Sequence, residues 1–226
     1  MRPLILSVET ATLAGSISLA CEEEILSRLS GDSHTSHSNT LLHDIDGILS
    51  EAHVELTEID LFAVANGPGS FTGLRIGIAT VKGLAATLNC PCVGIPTLHA
   101  IAHSGGGSEN TVALLPAGRS EVFAQLFAVT GEGVVTALDQ ASHIAPQKLF
   151  EKYGSLENLL WCGNGAIANK AFFEGNVRWR IAPSVENLAE HVSSLALARF
   201  RENQVEDPDA LQALYVRPSD AELKVQ

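Results

Sequence analysis

The sequence predicts a duplicated α/β fold, because one order of elements (three strands, a helix, a strand and a helix) occurs twice along its 226 residues. Short apolar runs mark the strands, and apolar residues at helical intervals mark the helices. The consecutive glycines Gly105, Gly106 and Gly107 indicate a boundary between the two copies. We therefore expect two subdomains, residues 1–104 and 105–226, and the alternative is a single mixed sheet without a true repeat.

The first copy is expected to begin with three strands, at 4–7, 15–20 and 25–29. The gaps between these strands are short, which favours an antiparallel meander. A helix follows, and its apolar stripe repeats at helical spacing: Leu41, Leu42, Ile45, Ile48, Leu49 and Ala52. The remaining elements are expected at 61–65 (strand), 70–88 (helix) and 92–95 (strand).

The second copy repeats this order. Three strands are expected at 112–115, 122–129 and 134–138, and then a helix at 146–153 with Pro146 in the first turn, where proline is tolerated. The later elements are a strand at 159–162, a glycine turn at 163–165, a helix at 166–173 and a closing helix at 185–201.

Composition and charge exclude several classes of protein. With a net charge of −12, the chain lacks the basic surface that a protein needs to neutralise nucleic-acid phosphates by itself. No apolar run approaches the length of a membrane span, and the N-terminal apolar run is too short for a signal peptide. The four cysteines lack the spacing of a disulfide framework or a zinc site. We therefore expect a cytoplasmic protein with reduced cysteines and no membrane partner.

The most informative motif is the glycine-rich segment 66–77, which lies at an expected strand-to-helix turn. Gly67 and Gly69 permit positive φ or a close approach of backbone, and Ser70 can cap the helix. A helix N-terminus of this kind favours an anion, although the segment is neither a P-loop nor a dinucleotide fingerprint. Gly73 and Gly77 give the helix a small-residue face, which favours either packing inside the subdomain or close approach of a partner helix.

Several segments of the chain together resemble the TsaB (YeaZ) family. The central one is Gly67-Pro68-Gly69-Ser70-Phe71-Thr72-Gly73-Leu74-Arg75-Ile76-Gly77, which is similar to that family's signature. Weaker matches occur in the family's order at 4–10, 37–42, 118–123, 162–166 and 214–218. The resemblance covers nearly the whole chain. It implies a duplicated actin/Hsp70/sugar-kinase-like (ASKHA, ribonuclease H-like) fold with two subdomains.

The resemblance also implies a non-catalytic role in forming threonylcarbamoyladenosine in the anticodon loop of tRNAs that read codons beginning with A. The implied partners are the catalytic paralogue TsaD and the ATPase TsaE, with tRNA bound only indirectly and a homodimer when the chain is alone. ATP or ADP and metal are expected on the partner subunits, and no cofactor is expected to be required by this chain. The residues expected at the partner interface are His37, Leu41, Leu42, Ile45, Ser70, Phe71, Leu74, Arg75 and Ile78. We expect Arg75→Glu and Leu74→Asp to weaken binding without unfolding the chain.

A stand-alone ATP-dependent small-molecule kinase of the same superfamily is the rival hypothesis. Such an enzyme needs carboxylates on metal at two phosphate-facing turns. The first turn carries Glu9 where the family more often has Asp, and the second carries Ala117 where many relatives have Asp. We therefore expect no catalytic residue. The candidate positions for facing a nucleotide are Glu9, Thr10, Gly67, Gly69, Gly163 and Gly165.

Two further patterns are compatible with chemistry. His99 and His103 lie four apart on an expected short helix, a spacing that can hold one metal ion, but the sequence offers no evident third ligand. We therefore expect no metal site and interpret both as polar residues near a helix end. Ser70 lies on a strand-to-helix turn, but its surroundings do not match G-x-S-x-G, so we do not expect a nucleophile there.

Overall fold

A computed structural model describes residues 2–31, 37–173 and 178–216, and in it the chain divides into two compact units. The first unit comprises the residues up to Ala100 together with Glu186–Leu214, and the second comprises Ile101–Val185 together with Tyr215 and Val216. The division after Ala100 lies close to the one expected after residue 104. The expected 105–226 subdomain differs more, because the closing segment of the chain packs with the first unit.

The described residues of the first half form five strands, three α-helices and one 3-10 helix. In chain order these are β1 (Leu4–Glu9), β2 (Ser16–Cys21), β3 (Glu24–Ser30), α1 (His37–Ala52), the 3-10 helix Leu56–Glu58, β4 (Leu61–Gly67), α2 (Phe71–Leu88), β5 (Cys92–Pro96) and α3 (Thr97–Ser104).

The second half begins with a long hairpin and ends with a helix. Its elements are β6 (Ser108–Gly118), β7 (Glu121–Val129), β8 (Val135–Ala137), β9 (Ser142–Ile144), α4 (Pro146–Tyr153), β10 (Leu160–Cys162), α5 (Asn164–Ala168), α6 (Lys170–Phe173), β11 (Arg180–Ile181) and α7 (Leu188–Arg201). None of the helices in the described ranges has an apolar stretch that could span a bilayer.

The two units contain sheets of the same topology, which confirms the predicted duplication. The first sheet has the order β3-β2-β1-β4-β5, in which the first three strands form an antiparallel meander and β4 and β5 run parallel to β1. The second has the order β11-β10-β6-β7-β8, with β10 parallel to β6 and β9 added beside β7.

Helices cover both faces of the first sheet. Val64 of β4 points towards α2, and a Cβ on Gly77 would contact it. Ser16 of β2 points to the opposite face, because its hydroxyl accepts a hydrogen bond from the Ala189 amide of α7 at 3.0 Å. Since alternate residues of a strand face opposite sides, α2 and α7 lie on different faces of the sheet.

Asn187 attaches α7 to the meander. Its side-chain amide donates hydrogen bonds to the carbonyl oxygens of Ile17 at 3.2 Å and Leu29 at 3.1 Å. Its side-chain oxygen accepts from the Glu190 amide and so caps the helix. This buried side chain explains why a helix distant in sequence belongs to the first unit.

The core of the second unit is built around stacked aromatic rings. Trp161 of β10 lies parallel to Phe173, with ring centroids 4.2 Å apart, and Trp179 meets its edge at 5.4 Å. Both tryptophans of the chain are therefore in the second unit, and tryptophan fluorescence reports on this core alone.

Most elements match the predicted ones, and the differences have local causes. Residues 166–173, predicted as one helix, form the two short helices α5 and α6, because the helical hydrogen bonding is interrupted at Asn169. The short strands β9 and β11 were not predicted, since two- and three-residue strands are too brief to show a period.

Candidate functional site

The first unit brings together two turns at the carboxyl ends of the parallel strands β1 and β4. The amide of Ser70, in the turn after β4, donates to the carbonyl oxygen of Ala11, in the turn after β1, at 2.8 Å. The Thr10 hydroxyl donates to the carbonyl oxygen of Gly73 at 2.7 Å. We name this pair of turns, residues 9–12 and 67–73, the glycine clamp. It fixes the position of the first turn of α2.

Three glycines make the clamp possible. A Cβ on Gly69 would lie 2.6 Å from the Ala11 carbonyl oxygen, one on Gly73 would overlap the Thr10 carbonyl oxygen, and one on Gly77 would overlap the Thr10 hydroxyl. The small-residue face of α2 thus packs inside its own unit. Of the two interpretations left open by the sequence, the structure supports intradomain packing for Gly73 and Gly77.

The first turn of α2 projects outward from the clamp. Ser70 caps the helix, accepting a hydrogen bond from the Gly73 amide at 3.2 Å. The exposed Arg75 guanidinium lies 3.8 Å from the centroid of the half-buried Phe71 ring, a cation–π contact. Ser70, Phe71 and Arg75 therefore form a surface held in place from beneath.

The residues predicted for a partner interface divide into two groups. Four of them are buried inside the first unit, each at most 8% exposed: Leu41, Ile45, Leu74 and Ile78. Leu42 is 63% exposed on α1, which packs against α2. The interface prediction is thereby narrowed to Leu42, Ser70, Phe71 and Arg75. The side chain of His37 lies outside the described residues.

Burial also corrects the expected outcome of one substitution. Leu74 is 1% exposed, and an aspartate there would place an unpaired carboxylate in the core. Leu74→Asp would therefore destabilise the first unit, and the expectation that the fold would stay intact is wrong for this variant.

The carboxylate of Glu9 is occupied by its own turn. One carboxylate oxygen accepts from the Thr12 amide at 2.7 Å, and the other accepts from the hydroxyls of Thr12 at 2.8 Å and Ser16 at 3.4 Å. Glu9 is 1% exposed. This arrangement suits a structural turn rather than a carboxylate directed at a metal–nucleotide complex.

The second unit has an equivalent glycine turn between β10 and α5. Gly163 has φ +89°, and a Cβ on it would lie 2.5 Å from the Leu114 carbonyl oxygen. A Cβ on Gly165 would lie 2.8 Å from the Leu114 carbonyl carbon. These glycines let the turn pack on β6. In the same unit, the Glu121 carboxylate lies 2.9 Å from Nε2 of His143.

A close backbone contact also explains Gly67, which has φ +124° and precedes the cis peptide bond to Pro68. A Cβ on Gly67 would overlap the carbonyl oxygen of Leu214, near the end of the described chain. The sequence predicted close approach of backbone at this glycine but not its source. The C-terminal segment was missed because nothing in its own residues indicates which strand it covers. Residues 217 and 218 of the matching C-terminal motif lie outside the described residues.

The two histidines of α3 are held neutral by their surroundings. Burial, with a smaller contribution from the positive charge of Arg199, lowers the pKa of His99 from 6.5 to about 4. Burial also lowers the pKa of His103. Across the described ranges, no group of three or more His, Cys, Asp or Glu residues is arranged to hold a metal ion.

Comparisons with known proteins agree on one family. A family model described as tRNA N6-adenosine threonylcarbamoyltransferase (TsaD) matches residues 31–208. The chain is similar to the tRNA threonylcarbamoyladenosine biosynthesis protein TsaB of Haemophilus influenzae, with 33% identity over 122 residues that cover 53% of this chain and 51% of that protein. Identity to TsaB of Escherichia coli is 28% over 155 residues, which cover 67% of each chain. The match thus spans about half the length of the first relative and two thirds of the second.

A solved structure shows the same fold. YeaZ from Pseudomonas aeruginosa aligns with a TM-score of 0.78 at 24% identity, covering 94% of this chain and 99% of that one. Together with the repeated sheet order, this likeness confirms the predicted two-subdomain ASKHA fold.

We expect Gly73→Ala to destabilise the first unit by roughly 1–3 kcal/mol, because the added methyl group must displace the backbone of the Thr10 turn. Gly83→Ala on the same helix is the matched control, since a Cβ there meets nothing within 4 Å, and it should stabilise the helix by about 1 kcal/mol. Urea unfolding followed by circular dichroism measures both. Equal effects of the two substitutions on the free energy of unfolding would contradict the close packing of Gly73 against the Thr10 turn.

We expect the free energy of unfolding to fall as the pH drops from about 6.5 towards 4, in part because of His99. Its folded-state pKa lies below the unfolded value, so in this range the unfolded chain binds a proton that the folded chain does not. His99→Gln should remove up to about 2 kcal/mol of the loss between pH 7 and pH 5. The exposed His43→Gln on α1 is the control. Urea midpoints at the two pH values test this, and an identical loss in wild type and His99→Gln would refute it.

Proposed function

The chain belongs to the family described as tRNA N6-adenosine threonylcarbamoyltransferase, and within it to the TsaB (YeaZ) group, and from this premise we propose that it is a non-catalytic subunit that binds and activates the catalytic paralogue TsaD. The complex would form threonylcarbamoyladenosine in the anticodon loop of tRNAs that read codons beginning with A. We place this role in the cytoplasm.

The glycine clamp is the observation that carries the proposal. It holds a rigid outward surface formed by Ser70, Phe71 and Arg75 at the start of α2, beside the exposed Leu42 of α1. Aromatic residues and arginine are enriched in protein interfaces, and the exposed leucine adds apolar area beside them. We infer that this surface contacts TsaD in the complex, and a second copy of the chain when the partner is absent.

The charge of the chain supports an indirect relation to tRNA. Its 26 acidic residues outnumber its 14 basic residues, so long-range electrostatics oppose the approach of an RNA backbone. Partner subunits would therefore supply the basic surface that holds tRNA. The chain would contribute the surface on which these partner subunits, among them the TsaE-type ATPase, assemble.

A stand-alone kinase is the alternative, and the geometry of the first turn argues against it. Phosphoryl transfer depends on carboxylates that position metal ions on the phosphates. Both oxygens of Glu9 accept hydrogen bonds from its own turn. The equivalent turn of the second unit carries Ala117, which has no carboxylate. We therefore assign ATP or ADP and metal to the partner subunits.

Reconstitution with one component omitted at a time tests the proposal. The chain, TsaD and TsaE from one genome are combined with tRNA and the threonylcarbamoyl donor, and modified adenosine is measured. We expect modification only when the chain is present, and no ATP hydrolysis by the chain alone. Full modification without the chain, or ATP turnover by it alone, would favour the kinase.

We expect Arg75→Glu and Leu42→Asp each to weaken binding of TsaD at least tenfold, because each places a negative charge on the surface proposed to contact it. Both side chains are exposed, so the fold should be preserved. Titration calorimetry with purified TsaD measures the affinity.

Two controls match these variants in chemistry and exposure. Lys148→Glu makes the same charge change on α4, and Leu138→Asp places an aspartate at another half-exposed leucine. Neither should alter binding. If the control variants and the surface variants lose affinity equally, net charge rather than this surface decides binding.

A further inference from the structure

The C-terminal segment 205–214, here named the strap, pairs with the start of β5 and with the carboxyl end of β4. Glu206 and Cys92 exchange two backbone hydrogen bonds, of 2.8 and 3.1 Å. Further along, the Leu214 amide donates to the Asn66 carbonyl oxygen at 2.7 Å, and the Asn66 side-chain amide donates to the Gln212 carbonyl oxygen at 3.2 Å. The strap thus crosses from the edge strand β5 to the end of β4.

The strap is fastened at a few points rather than packed along its length. Leu211 is the one strap residue in the described chain that is fully buried, while Leu214 is 45% exposed. A cleft of about 440 Å³ lies between residues 205–209 and the C-terminal turns of α2, and its lining includes Asn89. A segment with few buried apolar contacts opens locally at a lower free energy than the core.

Two of the strap's contact points, Asn66 and Lys82, lie just before α2 and within it. Asn66 directly precedes Gly67, whose turn continues into the Ser70 cap of α2. In the middle of α2, the Lys82 ammonium group donates to the carbonyl oxygens of Asp209 and Leu211, each at 3.3 Å. Closing the strap therefore fixes the turn that leads into α2 and also a point near the middle of the helix.

We propose that the strap is a latch whose closure holds the first turn of α2 in its binding geometry, so that strap closure and partner binding favour each other. The role of the latch in partner binding rests on the proposed function, which assigns that turn to the TsaD interface. Its coupling to α2 is a property of the chain alone. Because linkage is reciprocal, a partner that binds the held turn must also stabilise the closed strap.

The mechanism follows from the chemistry of the fastening points. When the strap opens, the Asn66 carbonyl and the Lys82 ammonium group lose their partners and become solvated, and the Gly67 turn loses the backbone lying over it. The Thr10 hydroxyl still holds Gly73 of α2, whereas the bond from the Ser70 amide to Ala11 follows the loosened Gly67 turn and breaks more often. Opening therefore loosens the orientation of the helix start without unfolding the unit.

Two variants of the full chain loosen the latch from opposite sides. Lys82→Met removes the hydrogen bonds to the strap carbonyls but keeps the unbranched stem and a similar helix propensity. Leu211→Ala removes the buried anchor on the strap itself. Lys148→Met, on the exposed face of α4, is the matched control. Tryptophan fluorescence, which reports only on the second unit, checks that this unit is unaltered.

Hydrogen exchange of backbone amides, resolved by NMR, is measured first without a partner. In both variants we expect the Glu206 and Leu214 amides to exchange at least fivefold faster than in wild type. The Ser70 and Leu74 amides at the start of α2 should accelerate with them, whereas amides of β2 should not. Faster exchange in the strap with no change at Ser70 and Leu74 would overturn the coupling.

The same variants are then titrated with TsaD. We expect roughly five- to tenfold weaker binding than for wild type and Lys148→Met, and slower exchange of the Glu206 and Leu214 amides when TsaD saturates the wild-type chain. Unchanged affinity in both variants would overturn the latch. If the wild-type chain fails to bind TsaD, the proposed function fails, and the partner-free exchange data still decide whether the strap controls the start of α2.

Discussion

The structure of the first unit depends on the contact between the start of α2 and the turn after β1. Backbone approaches backbone closely there: the Ser70 amide donates to the Ala11 carbonyl, Gly73 lies against the Thr10 carbonyl, and the Thr10 hydroxyl adds a bond to Gly73. Direct backbone contact of this kind requires glycine, because any Cβ would occupy the space of a carbonyl oxygen. These contacts lie at the carboxyl ends of β1 and β4, the edge at which an open α/β sheet commonly binds a ligand.

The Glu9 turn has a structural role in this contact. In phosphoryl-transfer enzymes the corresponding carboxylates must face a metal ion, and the turns must leave room for phosphates. Here the Glu9 carboxylate organises its own turn, and the glycines bring the neighbouring turn into contact with it. The same geometry turns Ser70, Phe71 and Arg75 outward. One set of contacts between the two turns thus fixes the Glu9 turn and orients this external surface.

Distant parts of the chain reinforce this arrangement. Asn187 attaches α7 to the meander, and the strap joins the end of β4 and the start of β5 to the middle of α2. In each connection a side chain donates hydrogen bonds to backbone carbonyl groups of a distant segment. The first unit is therefore assembled from two separate segments of the chain, and its proposed binding surface is supported from both.

The sequence by itself determined the duplicated fold, the strand meander and the position of the glycine turn, since hydrophobic period and turn chemistry are local properties. It also determined that the chain is acidic. It could not assign the closing helix or the strap to the first unit, because contacts between residues such as Asn187 and Ile17 leave no local pattern. Nor could it show that Leu42 is exposed while Leu41 is buried, or that Arg75 is exposed while Leu74 is buried. All four lie in apolar or glycine-rich helical stretches, and only packing against the sheet decides which side chains remain exposed.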